Sequence, residues 1–181
     1  MKKITLLLFL IYTISSVAQN AYRSPLDISL VLSANFGELR PNHFHSGIDL
    51  KTQGVVDKPV YSIEDGYISR VSVSPSGYGL AIYITHASGH TSVYGHLNSY
   101  APKIAEYIKA KQYEKESYRI DIPLEAEEIP VKRGELIAYS GNTGSSGGPH
   151  VHFEIRNTED QLVLDPLVYY KEQISDAVPP Q

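Results

Sequence analysis

Apolar and polar positions alternate through the middle of the chain. Tyr67-Ile-Ser-Arg-Val-Ser-Val73 alternates with period two, as a half-buried strand does. Pro75-Ser-Gly77-Tyr-Gly79 reads as a turn, and Leu80 to Thr85 as the partner strand. Ser88-Gly89 is the next turn, and Thr91 to Tyr94 is the strand that leads to His96. A shorter strand over Pro59 to Ile63 is closed by the turn signal Glu64-Asp65-Gly66. The rhythm breaks after Ala101. Pro102 suits a first helical turn, and Ile104 and Ile108 lie four apart with Lys and Glu on other faces. This predicts an amphipathic helix over 101–118, followed by a strand over 120–124. The expected fold is mainly β, with an antiparallel β-sheet core and a helical insertion.

The chain has 181 residues, which favours a single compact domain. Its start departs from the rest. Met1-Lys2-Lys3 is basic, Ile4 to Ile14 is an apolar run, and Ser16-Val17-Ala18 are small residues of the kind a signal peptidase reads. A secretory signal peptide over 1–18 is therefore expected, with export to the periplasm or the cell exterior. The run is too short for a comfortable membrane span, so no stable span is expected after cleavage. Residues 19–36 are read as an edge segment, 37–170 as the main domain and 171–181 as a tail. The whole stretch from Asp165-Pro166 onward looks frayed or linking. Removing Lys2 and Lys3 with the leader takes the formal charge from −4 to −6, which argues against nucleic acid as a partner. Cysteine is absent, which excludes disulfides and thiolate metal sites.

The candidate chemistry lies in histidines. His45-Ser-Gly-Ile-Asp49 stands near the front, Tyr94-Gly95-His96 in the middle and His150-Val-His152 near the back. Imidazole and carboxylate suit zinc, and three protein ligands leave one position for water. On a strand, His150 and His152 point one way while Val151 and Phe153 point the other. Glu154 shares the histidine face. A solvated strand carboxylate is the expectation there, with orientation of His152 as the alternative. Gly147-Gly148-Pro149 is expected to let its loop approach the site closely, because glycine has no Cβ. His45 and Asp49 can reach one metal if the backbone bends at Gly47. His43 and His45 form a second H-x-H, so spacing alone leaves open which of them binds.

Three segments carry a resemblance. They are Arg40-Pro-Asn-His-Phe-His45-Ser-Gly-Ile-Asp49, Val93-Tyr-Gly-His96-Leu and Gly141-Asn-Thr-Gly144-Ser-Ser-Gly-Gly-Pro-His150-Val-His152-Phe-Glu. Together, in this order, they resemble the signatures of LytM/lysostaphin-type zinc metallopeptidases, and the likeness runs from about Gly37 to Asn157. The resemblance implies a narrow groove, Zn2+ as cofactor, His45, Asp49 and His152 as metal ligands, and His96 and His150 as catalytic histidines that do not bind metal. It implies a secreted endopeptidase acting on peptide bonds in the peptidoglycan stem or cross-link. Peptidoglycan peptides are then the expected partners, with an envelope protein as a further one. The alternative within the same fold is a non-catalytic peptidoglycan-binding regulator that activates wall amidases. The family connection between His96 and His150 is usually shorter. The extra 101–124 is either a surface decoration or, in the sharper reading, one wall of the groove.

Overall fold

The computed structural model describes residues 22–175; the expected signal peptide lies outside them. Twelve strands and two helices are present among the described residues. In order they are β1 (Leu32–Ala34), β2 (Ile48–Lys51), β3 (Pro59–Tyr61), β4 (Gly66–Val73), β5 (Leu80–His86), β6 (His90–Leu97), β7 (Ser99–Tyr100), α1 (Pro102–Glu114), β8 (Ile120–Pro123), β9 (Pro130–Val131), β10 (Leu136–Tyr139), β11 (His150–Asn157), β12 (Val163–Leu164) and α2 (Leu167–Tyr170). The large sheet runs β1-β2-β11-β6-β5-β4-β8, with β12 on β11 and β9 on β4. A small sheet, β3-β10-β7, packs beside it, and every strand pair in both sheets is antiparallel.

One face of the large sheet is the core. Ile48 and Leu50 of β2, Val151, Phe153 and Ile155 of β11, Tyr94 and Leu97 of β6, and Ile82 and Ile84 of β5 are all fully buried in one cluster. Ile104 and Ile108 of α1 join it, so the helical spacing seen in the sequence marks the buried face. The helix stops at Glu114, earlier than 118, and Glu116 takes a left-handed conformation at φ 48° that an α-helix cannot continue. Strand β8 then adds Ile120 and Ile122 to the core through its pairing with β4.

Two departures from simple alternation matter. In β4 the buried residues are Ile68, Val71 and Val73, because the register with β5 shifts between Ile68 and Arg70. The extra residue in a bulge moves the side chains that follow to the opposite face. In β6 the register with β5 shifts in the same way between the pairs Leu80↔Leu97 and Ile82↔Tyr94. Tyr94 and Leu97 both face the core. Strict alternation would send His96 there too. The irregularity instead turns it to the other face, with φ at 58° and its N–H donated to the Tyr78 carbonyl at 2.8 Å.

Residues 165–175 are packed rather than frayed as expected, and the rest of the expected tail lies outside the described residues. Tyr170 is buried, its ring meets Phe153 edge-on at 5.6 Å, and its hydroxyl donates to the Arg23 carbonyl at 3.0 Å. Ile174 bridges to Leu30, so residues 165–175 close over the start of the domain. In the segment before β2, Leu26 and Leu30 are buried, and β1 extends the sheet beyond β2. No described helix is long and apolar enough to cross a membrane.

Phe153 is the test of this packing, since it is fully buried between Tyr94 and Tyr170. Phe153→Ala is expected to cost about 3–5 kcal/mol in urea unfolding. Val168→Ser, at a position 77% exposed, is expected to change stability by less than about 0.5 kcal/mol.

Candidate metal centre

The face of the sheet opposite the core carries the chemistry. Strands β2 and β11 pair so that Asp49 stands opposite His152 and Lys51 opposite His150. Since Ile48, Leu50, Val151 and Phe153 fill the core, these four polar side chains must face the other way. His45 arrives from the segment just before β2. That segment lies flat on β11 because of Gly47: a Cβ there would sit 2.2 Å from the Phe153 carbonyl oxygen. The conformational demand at Gly47 anticipated from the sequence is thus a close approach of two backbones.

Three donor atoms converge. His45 Nε2 lies 3.1 Å from Asp49 Oδ1 and 3.0 Å from His152 Nδ1, and His152 Nδ1 lies 3.0 Å from Asp49 Oδ1. All three residues are buried, and among the described residues they form the group that could hold a metal ion. Donors bonded to one tetrahedral ion at about 2.0 Å stand roughly 3.3 Å apart. The observed triangle therefore fits, and two imidazoles with one carboxylate make a donor set suited to zinc. His43 is exposed on the rim of the cleft, and of the two front histidines it is His45 that joins the cluster.

The opposite nitrogen of each ring is tied down. His45 Nδ1 lies 2.7 Å from the Asn35 carbonyl, His96 Nδ1 2.8 Å from that of Thr143, and His150 Nδ1 2.8 Å from that of Gly148. A carbonyl only accepts, so each of these nitrogens donates and leaves the neutral ring's Nε2 with its lone pair. His152 is reversed. Its Nε2 donates to Glu154 Oε1 at 2.8 Å, which leaves Nδ1 for the triad. The fold thus selects the tautomer of all four rings.

Glu154 corrects the sequence reading. It is fully buried, not solvated. Arg156 Nε donates to its Oε2 at 2.6 Å, and the hydroxyls of Ser46 and Tyr78 donate to its Oε1. Burial alone would raise its carboxyl, but His152 and Arg156 outweigh that and lower it to about 2. It is therefore an anion at neutral pH, held beneath His152 by four donors. Tyr78 also stacks on the His152 ring at 4.9 Å between centroids. Nothing in the spacing marked Ser46 or Tyr78, the latter sitting in what reads only as a glycine turn.

The charges of the triad follow from its crowding. Burial would raise the Asp49 carboxyl, yet His150, His152 and His45, when protonated, donate to it and hold it well below the usual carboxylate range. Burial would lower His152, but Asp49 and Glu154 raise it overall. These acceptors attract positive charge, whether proton or metal. His96 differs. Burial is its largest influence and lowers it to about 4, so its ring is neutral at neutral pH. Its centroid lies 4.8 Å from that of His150, and His150 Nε2 is 3.4 Å from Asp49 Oδ1. The two rings thus stand beside the triad without joining it.

The site opens into a cleft of about 1030 Å³. Its walls come from residues 38–43 and 145–149, and no residue of 101–124 lines it. The extra segment is therefore not a wall of the groove; α1 is spent on the core. The glycine loop also differs from expectation. A Cβ on Gly147 or Gly148 would meet nothing, whereas one on Gly141 would lie 2.4 Å from the Asn98 nitrogen and one on Gly144 would lie 2.3 Å from the Gly77 carbonyl. The close approach belongs to the start of the loop, where it fixes the Thr143 carbonyl that holds His96.

If Glu154 sets the His152 tautomer and donor strength, Glu154→Gln should weaken metal binding by roughly 10–100-fold while the protein stays folded. Competition with a chromophoric chelator, run beside a far-UV circular dichroism spectrum, measures both.

Residues 43–113 and 123–166 match the sequence profile described as peptidase family M23. The chain is 34% identical over 119 residues to an uncharacterized metalloprotease of Haemophilus influenzae, covering 65% of this chain and 19% of that protein. It is 33% identical over 113 residues to the DD-carboxypeptidase/endopeptidase Mpg of Neisseria meningitidis serogroup B, covering 62% and 20% respectively. It thus spans about one fifth of the length of these relatives. Its fold superposes on the catalytic domain of lysostaphin from Staphylococcus simulans with a TM-score of 0.55 at 25% identity, covering 76% of this chain and 90% of that one. With the His45, Asp49 and His152 cluster on the open face of an antiparallel sheet, these matches establish that the chain belongs to peptidase family M23.

Proposed function

We propose that the chain is a zinc metalloendopeptidase that hydrolyses peptide bonds in the peptidoglycan stem or cross-link, outside the cytoplasm, after export by the leader over 1–18. One observation carries this reading. Three buried donors share one point, and two further imidazoles with a free Nε2 stand beside it at the floor of an open cleft. A binding module has no need of the second pair. The name of one relative, a DD-carboxypeptidase/endopeptidase, supports cleavage of peptide bonds, and the resemblance of the three signature segments supports peptidoglycan as their source.

His45, Asp49 and His152 hold the metal in this reading. Bound there, zinc supplies Lewis acidity, acidifying water and polarising the scissile carbonyl. The chain's own residues do the rest. Asp49 and the two ligand imidazoles fix the geometry, and Glu154 keeps the His152 proton on Nε2. His96 and His150 handle protons in the cleft. Each presents an Nε2 lone pair, so one accepts the proton of the attacking water and the other, once protonated, stabilises the oxyanion or protonates the departing amine. His96 suits the resting base, since burial keeps it unprotonated through the neutral range. Its rigid seating between the Thr143 carbonyl and the Tyr78 carbonyl limits the motion that would spoil the transfer.

The test separates the two groups of histidines. His45→Ala should lose both metal, by elemental analysis, and hydrolysis of purified peptidoglycan. His96→Ala should keep about one zinc per chain and lose roughly 10²–10⁴-fold in rate. Chelation should abolish the wild-type activity and zinc should restore it. Mass spectrometry of the released muropeptides identifies the bond. A zinc-loaded wild-type protein that releases none would favour the non-catalytic regulator.

A further inference from the structure

Lys51 is the last residue of β2, two positions beyond Asp49 on the same face. It stands opposite His150 in the β2–β11 ladder, lines the cleft and is exposed. Its backbone is fixed: its N–H donates to the Val31 carbonyl at 2.9 Å, and the turn that follows is pinned by buried Thr52, whose hydroxyl donates to the Val55 carbonyl at 2.6 Å. Its ammonium, by contrast, has no acidic partner among the described residues. The other cation of the cleft, Arg40, is already engaged. It lies 3.4 Å from Asp49 Oδ2 and 3.5 Å from Glu38 Oε2. Those two carboxylates are the acidic groups that line the cleft, and both face Arg40. In a chain of net negative charge, Lys51 is therefore an unspent positive charge facing the cleft beside the proposed catalytic pair.

Two residues along a strand span about 6.5 Å. A substrate lying extended in the cleft advances by the same rise per residue, so a group that meets Lys51 lies about two residues from the bond over the triad. We infer that Lys51 forms a carboxylate subsite that selects peptides bearing a free carboxylate about two residues from the scissile bond. The inference rests on the peptidase reading and adds the substrate class. The chemistry has two sources, a C-terminal carboxylate close to the cut or a side-chain carboxylate within the peptide.

The experiment uses three dye-labelled peptides of one sequence with the zinc-loaded protein. One has both carboxylates free, one is amidated at the C-terminus and one is amidated at the side chain. Amidating the recognised carboxylate should lower kcat/KM by roughly tenfold or more, mainly through KM, as loss of a hydrogen bond to a charged group does. The arm that suffers identifies the source. In Lys51→Gln the ratio between free and amidated peptide should fall to near one, and in Lys51→Glu it should invert. If neither amidation matters to the wild type, or if the penalty persists in Lys51→Gln, the inference is overturned. Fluorescence anisotropy of the same peptides keeps this separate from the peptidase reading. Binding that depends on Lys51 without turnover would sink that reading and leave the subsite standing. Turnover indifferent to the carboxylates would do the reverse.

Discussion

The centre depends on the register of β2 against β11. Asp49 faces His152 because Leu50 and Val151, between them, are committed to the core. A slip of one residue would bury Asp49 among aliphatic side chains and put Leu50 into the cleft, at a cost that the core could not absorb. The hydrophobic face of the sheet thus sets the position of the polar one. Given that register, three electron-rich atoms meet 3.0–3.1 Å apart in a buried place. They repel unless something positive lies among them. In the metal-free protein a proton must serve, and the raised proton affinity of His152 records this. A divalent cation would serve better, and binding one there would couple the metal to the fold.

Around that triangle, the fold spends backbone carbonyls to orient side chains. Asn35, Thr143 and Gly148 each present a carbonyl to a histidine, and those carbonyls sit in loops held by close glycine contacts or by the sheet edge. His96 shows the cost. Its left-handed backbone is unfavourable for a residue with a Cβ. The conformation persists because the ladder on either side, and the hydrogen bond to Tyr78, overdetermine it. The benefit is a neutral ring aimed at the cleft in place of a histidine buried among tyrosine and leucine.

Much of this could be read from the chain itself, for a definite reason. Period-two alternation is a direct imprint of a sheet with one buried face, so the strands from Tyr67 to Tyr94 and the shared face of His150 and His152 follow from local pattern. The same alternation placed Glu154 on the histidine face, but its burial depends on Ser46 and Tyr78, which reach it from other segments, as well as on Arg156 two places along the same strand. Bulges were invisible, because an extra residue leaves no mark in composition; hence the broken alternation at Ile68–Arg70 and the turned His96. The glycines of the 141–149 loop were visible as a class, but which of them touches a neighbouring backbone depends on Leu97–Asn98 and on the β4–β5 turn across from it. The extra segment misled most. Its helix was read correctly in kind, yet its burial against the core, away from the cleft, is a tertiary fact.

The division of labour between strands and loops has a consequence for specificity. The three donors proposed to hold the metal stand on β2, on β11 and on a segment clamped against β11, where any shift would disturb the core. The cleft walls are exposed segments that carry little of the core: residues 38–43 on one side and 145–149 on the other, with the turn after Lys51 at the end of β2. Substitution in those segments can alter which peptide lies in the cleft without moving the donors. Lys51 occupies the boundary between the two regimes. Its Cα is fixed by the same ladder that fixes Asp49, while its ammonium is free in solvent. A charge delivered that way is placed along the strand by the sheet and adapts at its tip. This combination suits recognition of a small anionic group at a set distance from the reacting bond.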